Sequence, residues 1–299
     1  MDNCTLCPRQ CKVRRSDGEM GFCSSLDKIK IARADLHHWE EPCISGTRGS
    51  GTVFFSGCNM KCLFCQNYSI STLGNGMVIT EKELADKFLE LQEKGAHNIN
   101  LVTPTHFVPG IIQSLEIAKN RGLTLPVVYN CGGYENTETI EKLKGYVDIY
   151  MPDIKYFSDK YALEYSKAPG YFSVATKALK KMYSQVGRAV FDGDGILKKG
   201  VIVRHLMLPT LLFDTKKIVD YLFDTYGDNI LFSLMSQYTP MDFVKNHPVL
   251  GNRINPKHYE SMVDYIVCKG MENVYIQDLA SSTDEYIPDF SQAPHQEPS

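Results

Sequence analysis

The sequence has no excess of either charge, no apolar run long enough to cross a bilayer, and no repeat of solenoid period. Each absence removes a class of function. With 32 lysines and arginines against 35 aspartates and glutamates, the formal net charge is −3, so the basic excess of a nucleic-acid or anionic-membrane footprint is missing. The most apolar stretch, residues 201–213, is interrupted by Arg204 and His205 and falls short of the about 18 apolar residues of a membrane helix. The opening Met-Asp-Asn-Cys-Thr-Leu-Cys lacks the basic and apolar regions of a signal peptide. A cytoplasmic protein with no nucleic-acid or membrane partner is therefore expected. At 43% hydrophobic and 22% charged, the composition is that of an ordinary globular protein. Its 299 residues suffice for one barrel-sized domain or two smaller ones.

Cysteine is the anomaly. Ten are too few for a disulfide scaffold of this length, yet eight lie within the first 65 residues. In a reducing cytosol disulfides are disfavoured, so the clustering points to metal.

Residues 1–50 read as a small, loop-rich, Cys-rich metal-binding segment. From Thr52 onward short β-rich runs alternate with helical stretches, the pattern of βα units and a parallel sheet. Six strands are predicted, at 52–56, 98–102, 126–129, 147–151, 201–207 and 230–235. The clearest helix opens at Thr80 with Glu83 in capping-box spacing, places Leu84, Phe88 and Leu91 on one face and stops at Gly95. Further helices are predicted at 109–122, from Asn136 or Thr137 to Gly145, in two pieces between Ser158 and Gly187 broken at Pro169-Gly170, and at 214–226 and 257–269. Six cycles rather than eight suggest an α/β fold, a partial (β/α)6 TIM-like barrel over residues 51–280, although a doubly wound sheet fits the same alternation. Residues 281–299, polar and proline-containing, are expected to form a largely flexible tail.

The strongest chemical signal follows the first predicted strand: Gly57-Cys58-Asn59-Met60-Lys61-Cys62-Leu63-Phe64-Cys65-Gln66-Asn67. Three thiols on one short loop can hold one face of a cubane iron–sulfur cluster, which takes thiolate ligands and normally four of them. Only three are supplied, so one iron is left for an outside molecule, as a catalytic cluster requires. The alternative is a zinc site completed by Cys43 or His38, although structural zinc sites more often pair their cysteines two by two.

At this motif the sequence resembles the radical S-adenosylmethionine (radical SAM) superfamily, whose hallmark is Cys-x-x-x-Cys-x-x-Cys with an aromatic residue before the last cysteine. Cys58, Cys62, Phe64 and Cys65 match it. The string from Glu40 to Gly46 and from Gly49 to Cys58 is similar to a branch named for its likeness to pyruvate formate-lyase activating enzymes, and the resemblance runs from Cys4 to about Phe290. It implies a partial (β/α)6 barrel and a 4Fe-4S cluster on Cys58, Cys62 and Cys65. It also implies SAM chelated to the open iron, and cleavage to methionine and a hydrogen-abstracting 5′-deoxyadenosyl radical. As an activase of glycyl-radical enzymes the protein would act on another protein and draw electrons from a flavodoxin or ferredoxin. A radical SAM enzyme acting on another protein or a small molecule stays open, as does a non-catalytic metal-binding or electron-carrier protein.

Polar or glycine-rich segments follow the predicted strands, as they do at the C-terminal mouth of a barrel: 103–106, 130–133, 152–155, Arg204 with His205, and 236–238. By the resemblance, Asp153 and Lys155 match the Asp-x-Lys of the activating enzymes and are expected at the ribose and carboxylate of SAM, with Arg204 beside that carboxylate. Lys155 and Arg204 are the catalytic candidates. The chemistry suits the pair, since a carboxylate accepts from ribose hydroxyls and a lysine offers a point charge. Thr103 to Thr105 stand where the superfamily carries Gly-Gly-Glu, and Asn130 to Gly133 where the activases carry Asp-Thr-Asn-Gly. Phe64, Thr103, Thr105 and Asn130 complete the expected cofactor contacts. His106 and His205 read as proton donors or as structural residues. Cys131 is expected at the mouth, and Cys268 as a small buried hydrophobe. Cys4, Cys7, Cys11 and Cys23 number the four ligands of a closed zinc site or of a second iron–sulfur cluster able to relay electrons to the first.

Overall fold

Capped amphipathic helices alternate with short apolar strands in the computed structural model, which describes residues 3–279 and Phe290. The strands are β1 (Ile29–His37), β2 (Ser50–Phe55), β3 (Met77–Ile79), β4 (Ile99–Val102), β5 (Val127–Cys131), β6 (Ile149–Pro152), β7 (Val190–Phe191), β8 (Leu197–Leu206), β9 (Leu231–Met235) and β10 (Val274–Ile276). The helices are α1 (Pro42–Ser45), α2 (Tyr68–Ser71), α3 (Glu81–Glu93), α4 (Val108–Asn120), α5 (Thr137–Lys142), α6 (Asp159–Ser166), α7 (Tyr171–Val186), α8 (Leu212–Tyr226) and α9 (Pro256–Cys268).

The sheet runs β10-β9-β8-β6-β5-β4-β2-β1-β3, with β7 paired to β8 beside this path. Strands β2, β4, β5, β6, β8 and β9 are mutually parallel and are the six expected from the sequence. Among the described residues the sheet is not closed between β3 and β10. The fold is thus the α/β partial barrel anticipated from the alternation.

Helix α3 starts as its sequence dictates: the Glu83 N–H donates to Thr80 Oγ1 at 3.2 Å, and Glu83 Oε2 accepts from the Thr80 N–H at 2.7 Å. Its buried Leu84, Phe88 and Leu91 join the large core between helices and sheet. The opposite, inner face is filled differently. Cys43 and Ile44 of α1 pack among Val128, Ile149 and Leu231, near the N-terminal ends of β5, β6 and β9, and Ile202, midway along β8, so α1 closes the interior from below.

One stretch departs from the sequence reading. The segment expected as a loop-rich preface through residue 50 contains β1, which pairs antiparallel with β2 and with β3 and belongs to the sheet. It also contains α1, the interior plug. The tail expected over 281–299 lies outside the described residues apart from Phe290, whose ring meets Phe54 edge-on at 5.3 Å.

The turn after β5 is set by glycine. Gly133 has φ +77°, and a Cβ there would come 2.2 Å from the Asp153 carbonyl oxygen. The Tyr171 hydroxyl clamps the same place, lying 2.8 Å from the Gly132 carbonyl and 2.9 Å from that of Asp153, and accepting from the Lys155 N–H at 3.0 Å. Gly133→Ala combines left-handed strain with a backbone collision and is expected to lower stability by at least about 2 kcal/mol. A denaturant midpoint unchanged from wild type would refute this.

Candidate active site

The loop after β2 is held by backbone contacts with the end of α6. The Leu63 N–H donates to the Tyr165 carbonyl at 2.8 Å and that of Lys61 to the Ser166 carbonyl at 3.2 Å. The three thiols are therefore presented from a fixed loop. The Met60 N–H approaches Cys58 Sγ at 3.4 Å, the Ser166 hydroxyl approaches Cys62 Sγ at 3.0 Å, and Cys65 Sγ lies 3.2 Å from Ser71 Oγ. Burial pushes the Cys58 thiol well above its usual range and the Cys62 thiol up to about 11, the latter despite the opposing charge of Lys155. Thiols so placed ionise when a metal displaces their protons.

Cys62 and Cys65 open into a cavity of about 430 Å³ at the C-terminal ends of the strands, a size usual for small-molecule sites. Among the described residues no three His, Cys, Asp or Glu side chains converge as one metal ion requires. A cubane has its corners set apart by its own edges, and three thiols spread along one loop suit it. The donor set fits a three-thiolate cluster facing the cavity.

Beyond Cys62 the cavity wall is a row of charges. Lys155 Nζ donates to Asp153 Oδ2 at 2.5 Å. Arg204 donates from Nε to Asp153 Oδ1 at 3.1 Å, from one terminal nitrogen to Glu40 Oε2 at 3.0 Å and from the other to Asn130 Oδ1 at 2.7 Å. Glu40 Oε1 also accepts from Asn100 at 2.9 Å. Burial opposes ionisation of Asp153, and the adjacent Lys155 and Arg204 outweigh it, holding its carboxyl below the usual range. Burial likewise works against the charges of Lys155 and Arg204, and Asp153, together with Cys62 beside Lys155 and with Glu41 and Glu40 beside Arg204, more than compensates, so both stay protonated. Phe64 lines the cavity, its ring 6.2 Å from that of Tyr238. Glu40 and Glu41 were given no site role by the sequence, whereas Tyr238 belongs to the segment 236–238 expected at the mouth.

Not every expected residue is here. Thr103 has φ +59°, which turns the chain, and neither it nor Thr105 lines the cavity. Thr105 is buried and donates to Glu135 Oε1 at 2.7 Å, with the Tyr129 hydroxyl 3.2 Å from Oε2. Cys131, expected at the mouth, alternates with inward-facing Asn130 and packs in the helix-side core beside Glu135. His106 is buried with Nε2 2.7 Å from the Ser56 carbonyl, and burial lowers its pKa to about 3. His205 is clasped between the Ile154 carbonyl at 2.6 Å and Thr215 Oγ1 at 2.9 Å, and burial lowers it to about 4. Both are neutral structural residues. Cys43 is in the interior plug, and Cys268 is exposed rather than buried.

The N-terminal cysteines lie against the same loop. The Lys12 N–H donates to the Cys4 carbonyl at 3.0 Å, and the Gln10 N–H to the Cys7 carbonyl at 3.0 Å, folding 4–13 back on itself. Cys11 Sγ accepts from the Phe22 N–H at 3.3 Å. Arg9 stacks 3.6 Å over the Phe22 ring and donates to the Asn59 carbonyl at 2.9 Å. A Cβ on Gly57 would meet the Cys23 carbonyl at 2.7 Å, so the two segments touch through glycine.

Comparison with known proteins agrees with this geometry. Residues 52–193 match the family described as the Radical SAM superfamily. An uncharacterized protein of Methanocaldococcus jannaschii is 30% identical over 284 residues, covering 91% of this chain and 77% of the relative. The pyruvate formate-lyase-activating enzyme of Clostridium pasteurianum is 28% identical over 167 residues, covering 53% of this chain and 62% of that enzyme. Among solved structures, Streptococcus suis SuiB bound to its precursor peptide SuiA has the same fold at a TM-score of 0.50 and 13% identity, covering 74% of this chain and 46% of SuiB. The chain thus spans about half the length of that structure.

Glu135 supplies a test of the packing behind the site. Burial raises its carboxyl to about 8 against donors that lower it, so it folds as the neutral acid. The stability tied to that proton is complete below the ordinary value of 4.5 and is lost as pH rises through about 8. Wild-type protein should therefore lose on the order of 3–5 kcal/mol across this interval, and Glu135→Gln should remove most of the loss. Equal pH dependence of melting for the two proteins would refute the assignment.

Proposed function

The chain belongs to the radical SAM superfamily, and on that premise we propose that its cavity binds SAM against a 4Fe-4S cluster held by Cys58, Cys62 and Cys65. We further propose that its substrate is a protein, as for an activase of glycyl-radical enzymes. One observation carries the site: of three thiols on a single loop, those of Cys62 and Cys65 border a cavity whose next wall is the buried row Lys155, Asp153, Arg204. A reduced cluster of this kind, when bound, supplies the electron that splits SAM into methionine and a 5′-deoxyadenosyl radical, which takes a hydrogen atom from the substrate.

The chain's own residues do the rest. Asp153, ionised between two cations, accepts hydrogen bonds from the ribose hydroxyls. Lys155, next to both Cys62 and Asp153, neutralises the carboxylate of SAM. Arg204 reaches that carboxylate less directly and chiefly fixes Asp153 and Asn130 in place. Phe64 keeps water from the cysteine end of the cavity. The named activating enzyme that matches half of this chain supports a protein substrate. A cytoplasmic enzyme reduced by a flavodoxin or ferredoxin completes the reading.

Cys4, Cys7, Cys11 and Cys23 form, on this proposal, a second metal site seated on the catalytic loop, an iron–sulfur cluster or a zinc ion, the latter only once the thiols draw together, because no three of them converge as one ion requires. The contacts of Arg9 with Asn59 and of Cys23 with Gly57 support that placement.

Anaerobic reconstitution with iron and sulfide, followed by reduction with SAM, should give at least about four irons per chain and 5′-deoxyadenosine, the latter abolished by Cys62→Ala. Uptake of zinc only, with SAM left intact, would end the enzyme reading. Separately, Cys11→Ala should lower the total bound zinc or iron by elemental analysis while Cys58, Cys62 and Cys65 remain loaded, and an unchanged metal content would dismiss the second site.

A further inference from the structure

Glu41 stands in the cavity wall only 8% exposed, and its Oε2 meets no hydrogen-bond donor. A buried carboxylate oxygen without a partner is costly. The chain cannot easily swing it away. The Glu41 carbonyl accepts the N–H groups of Ile44 and Ser45 at 2.7 and 3.0 Å, opening α1, and α1 is wedged in the barrel interior.

The order of charges along the wall locates it. Lys155 adjoins Cys62 and bonds Asp153, and Arg204 bonds Asp153 on one side and Glu40 on the other. Glu41 lies past Arg204, next to Ser233 of β9 and close to Tyr275 of β10. It is therefore at the end of the row away from the cysteine loop. Three carboxylates, Glu40, Glu41 and Asp153, face two cations, Lys155 and Arg204, so one negative charge is unmatched. His37 lines the cavity without altering this count, because burial, with Arg33, His38 and Arg204 nearby, lowers it to about 4 and leaves it neutral. Burial drives the Glu41 carboxyl upward, against the charge of Arg204 and a hydrogen bond from the Ser233 side chain, as it also does that of Glu40. Trp39, Tyr238 and Tyr275 line the same cavity, and aromatic ring faces attract cations.

We propose that Glu41 is the recognition point for a positively charged nitrogen of the substrate, an ammonium or guanidinium group, held beyond SAM at the far end of the cavity. The proposal rests on the reading above in one respect, that SAM takes the cysteine end.

The test is calorimetric titration of the reconstituted protein with n-butylammonium chloride, with uncharged 1-pentanol as the control of similar length, and with SAM. Saturable binding of the ammonium and none of the alcohol is expected. Glu41→Gln should weaken ammonium binding at least about tenfold, while its affinity for SAM stays within about twofold of wild type. Glu41→Asp, which keeps the charge, should retain ammonium binding and covers the case in which the amide variant does not fold. No ammonium binding by wild type, or equal binding by Glu41→Gln, would overturn the proposal. So would a parallel loss of SAM affinity, which would make SAM itself the partner of Glu41. Formation of 5′-deoxyadenosine by wild type reports on the SAM-cleaving reading independently, so the two failures are told apart.

Discussion

A single guanidinium holds the site together. Arg204 reaches the loop after β6 through Asp153, the end of β5 through Asn130 and the β1–α1 connection through Glu40. A planar fork with five donors is the side chain able to satisfy acceptors in three directions at once. Its surroundings make the arrangement obligatory: with its side chain 16% exposed and its partners Asp153 and Glu40 at 14% and 8%, unmet charge would be expensive. Asp153 is consequently oriented on both sides, by Arg204 through one oxygen and by Lys155 through the other. Rigidity of this kind is what a ligand-positioning wall needs.

The inner face of the sheet shows how that wall is supported. Helix α1 inserts Cys43 and Ile44 among residues of the parallel strands, and Asn98 Nδ2 donates to the Ile44 carbonyl at 2.8 Å. The plug raises Glu40 and Glu41 to the level at which the strands end. Residues 29–50 thereby supply both the strand next to the sheet's β3 edge and the floor of the cavity.

The parts legible in the sequence are those dominated by local chemistry. The six parallel strands are buried on both faces and read as short apolar runs, and α3 announces itself by its capping box. The thiol loop is legible through spacing. Strand β1 was hidden because Lys30, Arg33 and Asp35 interrupt its apolar positions, and β3 and β10 because three residues carry no period. Glu40 escaped for a different reason: its partners Asn100 and Arg204 are 60 and 164 positions away, a relation no local pattern contains. Cys131 could have been placed correctly by counting alternate residues from Asn130. Thr105 could not, since the left-handed Thr103 and the 3₁₀ turn at Thr105–Phe107 carry it away from the cavity.

Arg15, 2% exposed, donates to the carbonyls of Ser25, Leu26 and His106, while Asn136 and Thr139 bond the carbonyls of Thr5 and Leu6, each at 2.7 Å. The amino-terminal thiols thus depend for their seat on residues more than 130 positions downstream. During synthesis they emerge before α5 and wait for it to follow. Throughout that interval the segment carrying the thiols lacks the two hydrogen bonds that later hold it in place.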